Sequence, residues 1–174
     1  MENKYLCVMA LFDEEANSKF RMIQKQLEHK GFKTPSVPPH ITLGAYVGVE
    51  EKDLLNWVEE FCHTAKEFEI NFTHLGLFSL NVLFLAPRVS NELINFHKNF
   101  HQKYDDDCGQ VGYYYTLKSE SWVPHASILI DEPEGILKAL SIVNDNFKPF
   151  RGRIVSLSLC EFPPMRVIKT FYLK

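Results

Sequence analysis

Two tetrads with one shared pattern constrain this chain more than any other feature of its sequence. Pro39-His40-Ile41-Thr42 and Pro124-His125-Ala126-Ser127 both read Pro-His-x-Ser/Thr, and their histidines lie 85 positions apart, close to half of the 174 residues. Five further histidines occur, and none of them follows a proline or stands two residues before a serine or threonine. The pair therefore indicates a repeated unit with one tetrad in each copy.

The pattern of residues around each tetrad supports such a repeat. The residue pattern of each half predicts the same six elements in order: a strand, a helix, a loop, a strand that begins at the tetrad histidine, a helix and a strand. In the first half these elements cover residues 5–12, 13–31, 32–39, 40–47, 51–66 and 68–78. In the second they cover 82–86, 90–104, 105–121, 125–130, 133–147 and 150–161, and a last strand covers 167–173. We expect residues 1–174 to form a single domain of two pseudo-symmetric lobes, with His40 in one lobe and His125 in the other.

The spacing within each tetrad predicts where its side chains point. Residues i and i+2 of a strand project from the same face, so His40 and Thr42 lie together, as do His125 and Ser127. Proline cannot donate a ladder hydrogen bond and favours the first position of a strand, which defines where the histidine emerges. If the two lobes face each other, two imidazoles and two hydroxyl groups converge on one cleft.

Two imidazoles and two hydroxyl groups suit cleavage of a phosphodiester. One neutral imidazole removes a proton from the attacking hydroxyl or water, and the other, protonated, donates a proton to the leaving oxygen. Histidine suits both tasks because its ordinary pKa near 6.5 leaves both forms available around neutral pH. The hydroxyl groups of Thr42 and Ser127 can donate hydrogen bonds to the non-bridging phosphate oxygens. This chemistry requires no metal, no cofactor and no covalent nucleophile.

Two other kinds of site agree less well with the sequence. A metal site on His40 and His125 lacks a third ligand at an interpretable spacing, and Thr and Ser are poor zinc ligands. A serine hydrolase lacks the Gly-x-Ser-x-Gly elbow in this chain.

Composition and net charge limit the kinds of partner that this chain can bind. The net charge of −3 disfavours a protein that covers a long nucleic-acid backbone, whereas a small anionic ligand needs only local positive charge. The cysteines at 7, 62, 108 and 160 form no Cys-x-x-Cys pair, and three of them stand in apolar segments, which predicts buried thiols. The short apolar run at the N-terminus is typical of a strand rather than of a signal peptide or membrane span. We expect a cytoplasmic, monomeric enzyme.

The two tetrads resemble the paired His-x-Ser/Thr signature of the 2H phosphoesterase superfamily, and above all the LigT-like proteins called 2′–5′ RNA ligases. The likeness covers nearly the whole chain and includes Leu75-Gly76-Leu77-Phe78. It implies an α+β, bilobal duplicated fold, with two antiparallel-rich sheets facing a central cleft and helices outside. It also implies hydrolysis of 2′,3′-cyclic phosphates, or cleavage and joining of 2′–5′ linkages, on small nucleotides or RNA ends. By analogy, His125 is the base that activates water and His40 is the acid.

The sequence departs from this family at two points. Ser127 stands where many relatives have threonine, which keeps the hydroxyl group. Many relatives also carry an arginine soon after the second tetrad, whereas Leu129-Ile130-Asp131 follows here. The missing charge leaves a second hypothesis open, namely a nucleotide- or RNA-binding module of the same fold without catalysis.

Several residues near the tetrads are secondary candidates. Tyr46 has the same strand parity as His40, and Trp122 precedes His125 by three positions, so each is a candidate for lining the cleft or stacking on a base. Lys118, Arg151 and Arg153 are candidates for holding phosphate. The histidines at 97 and 101 have the spacing of one helix face, which predicts an exposed face, and the three aspartates at 105–107 predict a solvated turn.

Overall fold

The computed structural model describes residues 4–174, which form seven strands and five α-helices. The strands are β1 (Tyr5–Phe12), β2 (His40–Tyr46), β3 (Phe68–Phe78), β4 (Val82–Pro87), β5 (Ala126–Ile130), β6 (Phe150–Phe162) and β7 (Arg166–Tyr172). The helices are α1 (Glu14–His29), α2 (Glu51–Thr64), α3 (Asn91–Phe100), α4 (Gly109–Gly112) and α5 (Pro133–Asn146). Within residues 4–174, no helix is both long enough and apolar enough to cross a membrane.

Two of the helices have a side-chain cap at the N-terminus that the sequence predicts for them. Asp13 precedes α1 and accepts a hydrogen bond from the Ala16 backbone N–H at 3.0 Å, and Ser90 precedes α3 and accepts one from Leu93 at 3.2 Å. Each cap satisfies a donor that the first turn of a helix leaves without a backbone partner. The helix α3 ends at Phe100, four residues earlier than the sequence predicts, and short turns follow it.

All strand pairs are antiparallel, and they form one sheet in the order β2-β1-β6-β3-β4-β5, with β7 also paired to β6. The α+β class is therefore confirmed. The two sheets that the sequence predicts are joined into one, because the long strand β6 pairs with strands of both. Its first residues, 150–154, pair with β3, and residues 156–161 pair with β7.

The strands that carry the two tetrads lie at the two ends of this order. Although five pairings separate β2 from β5, Cα atoms of the two strands approach within 8 Å of each other. Strand twist accumulates across a sheet and curves it, which is how two end strands can meet. The curvature therefore brings the first tetrad beside the second.

Both tetrads are followed by the same irregularity. Leu43 comes directly after Thr42 and has no partner in β1, and Ile128 comes directly after Ser127 and has no partner in β4. Each is a β-bulge, which bends the strand and increases its local twist. The two tetrads therefore share the same local strand geometry.

The sheet has two apolar faces of unequal size. Its larger face packs against the helices and holds most of the core, including an aromatic cluster of Phe12, Phe20, Phe72 and Phe150. A smaller cluster of Cys7, Met9 and Cys160 lies on the opposite face, and Tyr5, Val37 and Phe162 pack on it. All four cysteines are buried and free, which confirms the prediction for Cys7, Cys62 and Cys160 and adds Cys108.

Candidate active site

The two tetrad histidines are held by identical hydrogen bonds. His40 Nδ1 lies 2.7 Å from the Pro38 carbonyl oxygen, and His125 Nδ1 lies 2.7 Å from the Val123 carbonyl oxygen. A carbonyl only accepts, so Nδ1–H is the donor and Nε2 remains as the free nitrogen of each ring. Each acceptor belongs to the residue before the tetrad proline, and a proline restricts that residue to extended backbone. The proline thus helps to orient the imidazole that follows it.

One cavity of about 290 Å³ brings the four polar side chains of the tetrads together. His40, Thr42, His125 and Ser127 all line it. The strand parity of each tetrad is therefore as predicted up to the hydroxyl residue, and each tetrad contributes one histidine and one hydroxyl group. These four side chains offer two imidazole nitrogens and two hydroxyl donors to one small ligand.

Burial lowers the pKa of both histidines below the ordinary value of 6.5. For His40 the hydrogen bond to Pro38 opposes this effect, and the nearby imidazole of His125 adds to it. For His125 the hydrogen bond to Val123 opposes the effect of burial. The lowered pKa values favour the neutral form of both imidazoles at pH 7 in the free protein.

Aromatic rings enclose one of the two histidines. The His125 ring lies 4.8 Å from that of Phe78, edge to face, and 5.3 Å from that of Phe84. His40 instead lies beside the proline-rich loop, whose Pro35 and Val37 line the same cavity. The two imidazoles thus share a hydrogen-bond pattern but not their packing.

Strands β1 and β6 provide a further part of the cavity lining. Tyr5, Cys7 and Phe162 line it from β1 and β6. Burial, with a contribution from the nearby Cys160, raises the pKa of the Cys7 thiol to about 12. A thiol with this pKa stays protonated at neutral pH, so Cys7 is not poised as a nucleophile.

Neither lysine nor arginine is found among the described residues that line the cavity. The three cationic candidates are paired elsewhere: Lys118 with Asp106, Arg151 with Glu69 at 4.0 Å, and Arg153 with Glu67 at 2.8 Å. Their prediction as phosphate ligands is wrong, because none of the three lines the cavity. The start of β6 pairs both arginines with β3. Ile130, from the segment that follows the second tetrad, lines the cavity with an apolar side chain.

Trp122 lines a second cavity of about 570 Å³ that adjoins the first. Its indole stacks on the ring of His97 with centroids 3.7 Å apart, and its Nε1–H donates to the Thr42 carbonyl oxygen at 3.4 Å. The placement of Trp122 beside the tetrads agrees with its prediction as a cleft-lining residue. Because His97 covers one face of the indole, a base would have to stack on the other.

Tyr46 lies in the core and does not line the cleft, so its prediction is wrong. Its side chain is 1% exposed and packs in the main hydrophobic cluster. The bulge at Leu43 is the reason, because one extra residue shifts the in-and-out alternation of the strand beyond it. The parity that His40 and Thr42 share therefore ends before Tyr46.

The histidines at 97 and 101 are buried, contrary to the exposed helix face that the sequence predicts. Their exposed fractions are 4% and 5%. His97 donates from Nε2 to the Tyr115 carbonyl oxygen at 2.8 Å, and His101 donates from Nε2 to the Leu43 carbonyl oxygen at 2.7 Å. The segment 105–121 folds over this face of α3, which no local spacing reveals. Both histidines thus connect α3 to the surroundings of the site.

The aspartates at 105–107 do not form a merely solvated turn. Asp105 is largely shielded from solvent, contacts Nδ1 of His101, and accepts a hydrogen bond from the Leu117 backbone N–H at 3.1 Å. In the part of the chain that the structure describes, no three His, Cys, Asp or Glu side chains are grouped so as to hold a metal ion.

Sequence reasoning noted Tyr113, Tyr114 and Tyr115 in the loop before the second tetrad but did not single out Tyr115, which lines both cavities. Three consecutive tyrosines just before the second tetrad were the available sign, but their spacing does not tell which of them faces the cleft. Tyr113 and Tyr114 are 46% and 67% exposed, whereas Tyr115 is half-buried against the site.

Comparisons with known proteins show the family and the fold of this chain. The family described as the 2′-5′ RNA ligase superfamily matches residues 12–162. The crystal structure of TT0787 of Thermus thermophilus superposes with a TM-score of 0.66 at 15% identity, covering 97% of each chain. The crystal structure of E. coli LigT complexed with ATP superposes with a TM-score of 0.59 at 15% identity, covering 100% of this chain and 99% of that one. No curated protein matches the sequence.

Proposed function

The chain belongs to the 2′-5′ RNA ligase superfamily of 2H phosphoesterases, and we propose that it is a metal-independent phosphodiesterase acting on 2′,3′-cyclic phosphates of nucleotides or RNA ends. Cleavage or joining of 2′–5′ linkages by the same groups belongs to this proposal. The observation that carries it is the single cavity lined by His40, Thr42, His125 and Ser127.

The hydrogen bonds of the two imidazoles support acid–base catalysis from their Nε2 atoms. His125 accepts a proton from a water molecule as that water attacks phosphorus, and protonated His40 donates a proton to the leaving ribose oxygen. The bond between phosphorus and the ribose oxygen breaks as the new bond to water oxygen forms. In a cyclic ester whose 3′ oxygen leaves, the product is a 2′-phosphate. For joining, a 5′ hydroxyl takes the place of the water and the two histidines keep these roles, whereas for cleavage of a 2′–5′ linkage, which is the reverse of joining, they exchange roles.

The hydroxyl groups of Thr42 and Ser127 supply the electrostatic part of the proposal. Each can donate a hydrogen bond to a non-bridging oxygen, where negative charge grows as water adds. Structures of E. coli LigT complexed with phosphate and with 3′-AMP support a small nucleotide as the substrate class. We also propose that the chain acts as a monomer, as one domain of two lobes, in the cytoplasm.

Turnover of 2′,3′-cyclic AMP in the presence of EDTA tests this function. We expect the wild-type protein to be active, and His40→Ala and His125→Ala each to lose about 10²–10⁴-fold in kcat. His63→Ala is the matched control, because His63 is exposed on α2. An inactive wild type on cyclic and 2′–5′ substrates, or an unchanged rate in either cavity variant, would contradict the proposal.

The absence of lysine and arginine from the described cavity lining favours one alternative, a nucleotide- or RNA-binding module without catalysis. A neutral site retains a phosphate through hydrogen bonds while doing less to stabilise the extra charge of a transition state. Saturable binding of AMP or RNA without turnover, persisting in His125→Ala, would favour this alternative over the enzyme.

A further inference from the structure

Three residues line both cavities, and two of them belong to the second tetrad. His125, Ser127 and Tyr115 are common to the cavity of about 290 Å³ and the cavity of about 570 Å³. The two spaces therefore meet at these side chains. Tyr115 stands at the junction although it lies outside both tetrads, ten residues before His125 in the chain.

The Tyr115 phenol faces the polar groups of the first tetrad as well. Burial is the main cause that raises the pKa of Tyr115; the Cys7 thiol adds to this, and a hydrogen bond with the Thr42 hydroxyl opposes it. A phenol in these surroundings remains protonated at neutral pH and is a hydrogen-bond donor. Tyr115 thus lies between the hydroxyl residue of one tetrad and the histidine of the other.

The backbone around Tyr115 is held at several points. Its carbonyl oxygen accepts the hydrogen bond from His97, and the Thr116 hydroxyl donates to the Tyr113 carbonyl oxygen at 2.8 Å. Further back, the α4 segment lies directly on β2: a Cβ added at Gly112 would come within 1.9 Å of the Ala45 carbonyl oxygen. A donor on such a fixed segment is oriented before any ligand arrives, which is the condition for strong electrostatic stabilisation.

The described lining of both cavities offers no cationic side chain to a phosphate, so neutral donors have to carry more of its binding. Thr42 and Ser127 supply two hydroxyl groups, and the Tyr115 phenol adds another where the two cavities meet. We propose that Tyr115 is a fifth residue of the site, whose hydroxyl donates a hydrogen bond to a non-bridging oxygen of the substrate phosphate. This inference rests on the proposed function and extends it to a residue outside the tetrads.

Tyr115→Phe tests the proposal because it removes the hydroxyl group and keeps the ring. We expect kcat on 2′,3′-cyclic AMP to fall about 10- to 100-fold, the cost of losing a hydrogen bond to a charged group. Tyr113→Phe is the matched control: it makes the same change on the same turn at an exposed ring, and its kcat should stay within about twofold, as for surface substitutions. An unchanged kcat in Tyr115→Phe would overturn the proposal.

The same substitution in a Thr42→Val background separates direct contact from orientation of Thr42. If Tyr115 contacts the phosphate, its loss lowers kcat further in Thr42→Val. If Tyr115 merely orients the Thr42 hydroxyl, the second loss has no effect and the proposal is wrong.

Binding of inorganic phosphate at pH 7 provides a readout that does not depend on turnover. We expect Tyr115→Phe to weaken this binding and Tyr113→Phe to leave it unchanged. An inactive wild type that binds phosphate through Tyr115 would refute the proposed function but keep Tyr115 as a phosphate ligand. Equal phosphate affinity in the wild type and Tyr115→Phe, or no phosphate binding to the wild type, would overturn the role of Tyr115.

Discussion

Trp122 stacks face to face on His97, with ring centroids 3.7 Å apart and ring planes 7° from parallel. The contact joins the end of the segment 105–121 to α3, just before the second tetrad begins. The same imidazole holds the Tyr115 carbonyl oxygen, and the same indole holds the Thr42 carbonyl oxygen. These two rings thus support Thr42 of the first tetrad and Tyr115 of the neighbouring segment.

Stability should fall in acid through His97. Burial, together with the neighbouring His101, lowers the pKa of His97 from 6.5 to about 4. The unfolded chain therefore binds a proton near pH 6.5 that the folded protein binds only near pH 4. The contribution of this residue to the free energy of unfolding is fully present above pH 6.5. It declines between pH 6.5 and 4, by up to about 3 kcal/mol. Urea unfolding at a series of pH values measures this.

His97→Gln is the variant for that prediction, because glutamine does not titrate and its amide can still donate a hydrogen bond. We expect a smaller loss of unfolding free energy between pH 6.5 and 4 than in the wild type. His63→Gln, at an exposed position of α2, serves as the control. An equal pH dependence in His97→Gln and the wild type would show that another group is responsible.

Anion binding should take up a proton. Both cavity histidines are neutral at pH 7 because their pKa values are lowered, and no described cationic side chain lines the cavity. A bound anion raises the pKa of the imidazole beside it, so affinity should increase as pH falls, by at most about tenfold per pH unit for one proton.

Sulfate is the suitable anion for this measurement because it does not titrate between pH 5 and 8. Calorimetry at pH 7 in two buffers of different ionisation enthalpy counts the protons taken up per sulfate bound. A His40→Ala/His125→Ala double variant should show none. Proton uptake of zero in the wild type would contradict the prediction.

The two hydroxyl groups of the tetrads should contribute to kcat more than to KM. Thr42→Val and Ser127→Ala each remove one donor that acts on charge formed in the transition state, so kcat should fall by up to about 10²–10³-fold. Steady-state kinetics on 2′,3′-cyclic AMP separates the two parameters. Ser18→Ala, exposed on α1, is the control. An increase in KM with an unchanged kcat would instead indicate that the hydroxyl groups only bind the ground state.

Loss of the Trp122 ring should destabilise the fold. Trp122→Ala uncovers the His97 imidazole and removes the donor to Thr42, and we expect the free energy of unfolding to fall by about 2–4 kcal/mol. Tyr172→Ala changes another large ring, but that ring is 77% exposed, so its effect should be small. Chemical denaturation followed by circular dichroism compares the two. A Trp122→Ala protein as stable as the wild type would show that the stack contributes nothing.

The sequence alone predicted the elements that carry the site. The strands from Tyr5, His40, Phe68 and Val82 begin where the apolar patterns predict, and α1, α2 and α5 follow their spacing closely. These predictions succeeded because alternation and helical periodicity are local properties of a chain. For the same reason, the parity of His40 with Thr42 and of His125 with Ser127 was readable over three residues.

The tertiary structure decided those features that depend on more than a few neighbouring residues. The bulge at Leu43 turned Tyr46 into the core, and the fold of segment 105–121 over α3 buried His97 and selected Tyr115 for the cleft. Neither outcome has a period or a spacing that a single sequence displays, because each depends on contacts between residues far apart in the chain.

The tetrads illustrate both what the sequence determined and what the tertiary structure decided. Repetition of Pro-His-x-Ser/Thr determined, from sequence alone, that the chain carries two equivalent strand starts with a histidine and a hydroxyl on one face of each. The pairing of β6 with both β1 and β3 decided that those strands are the two ends of one sheet and that the sheet curves until they meet. Strand parity is a property of neighbouring residues, whereas sheet order results from packing of the entire core.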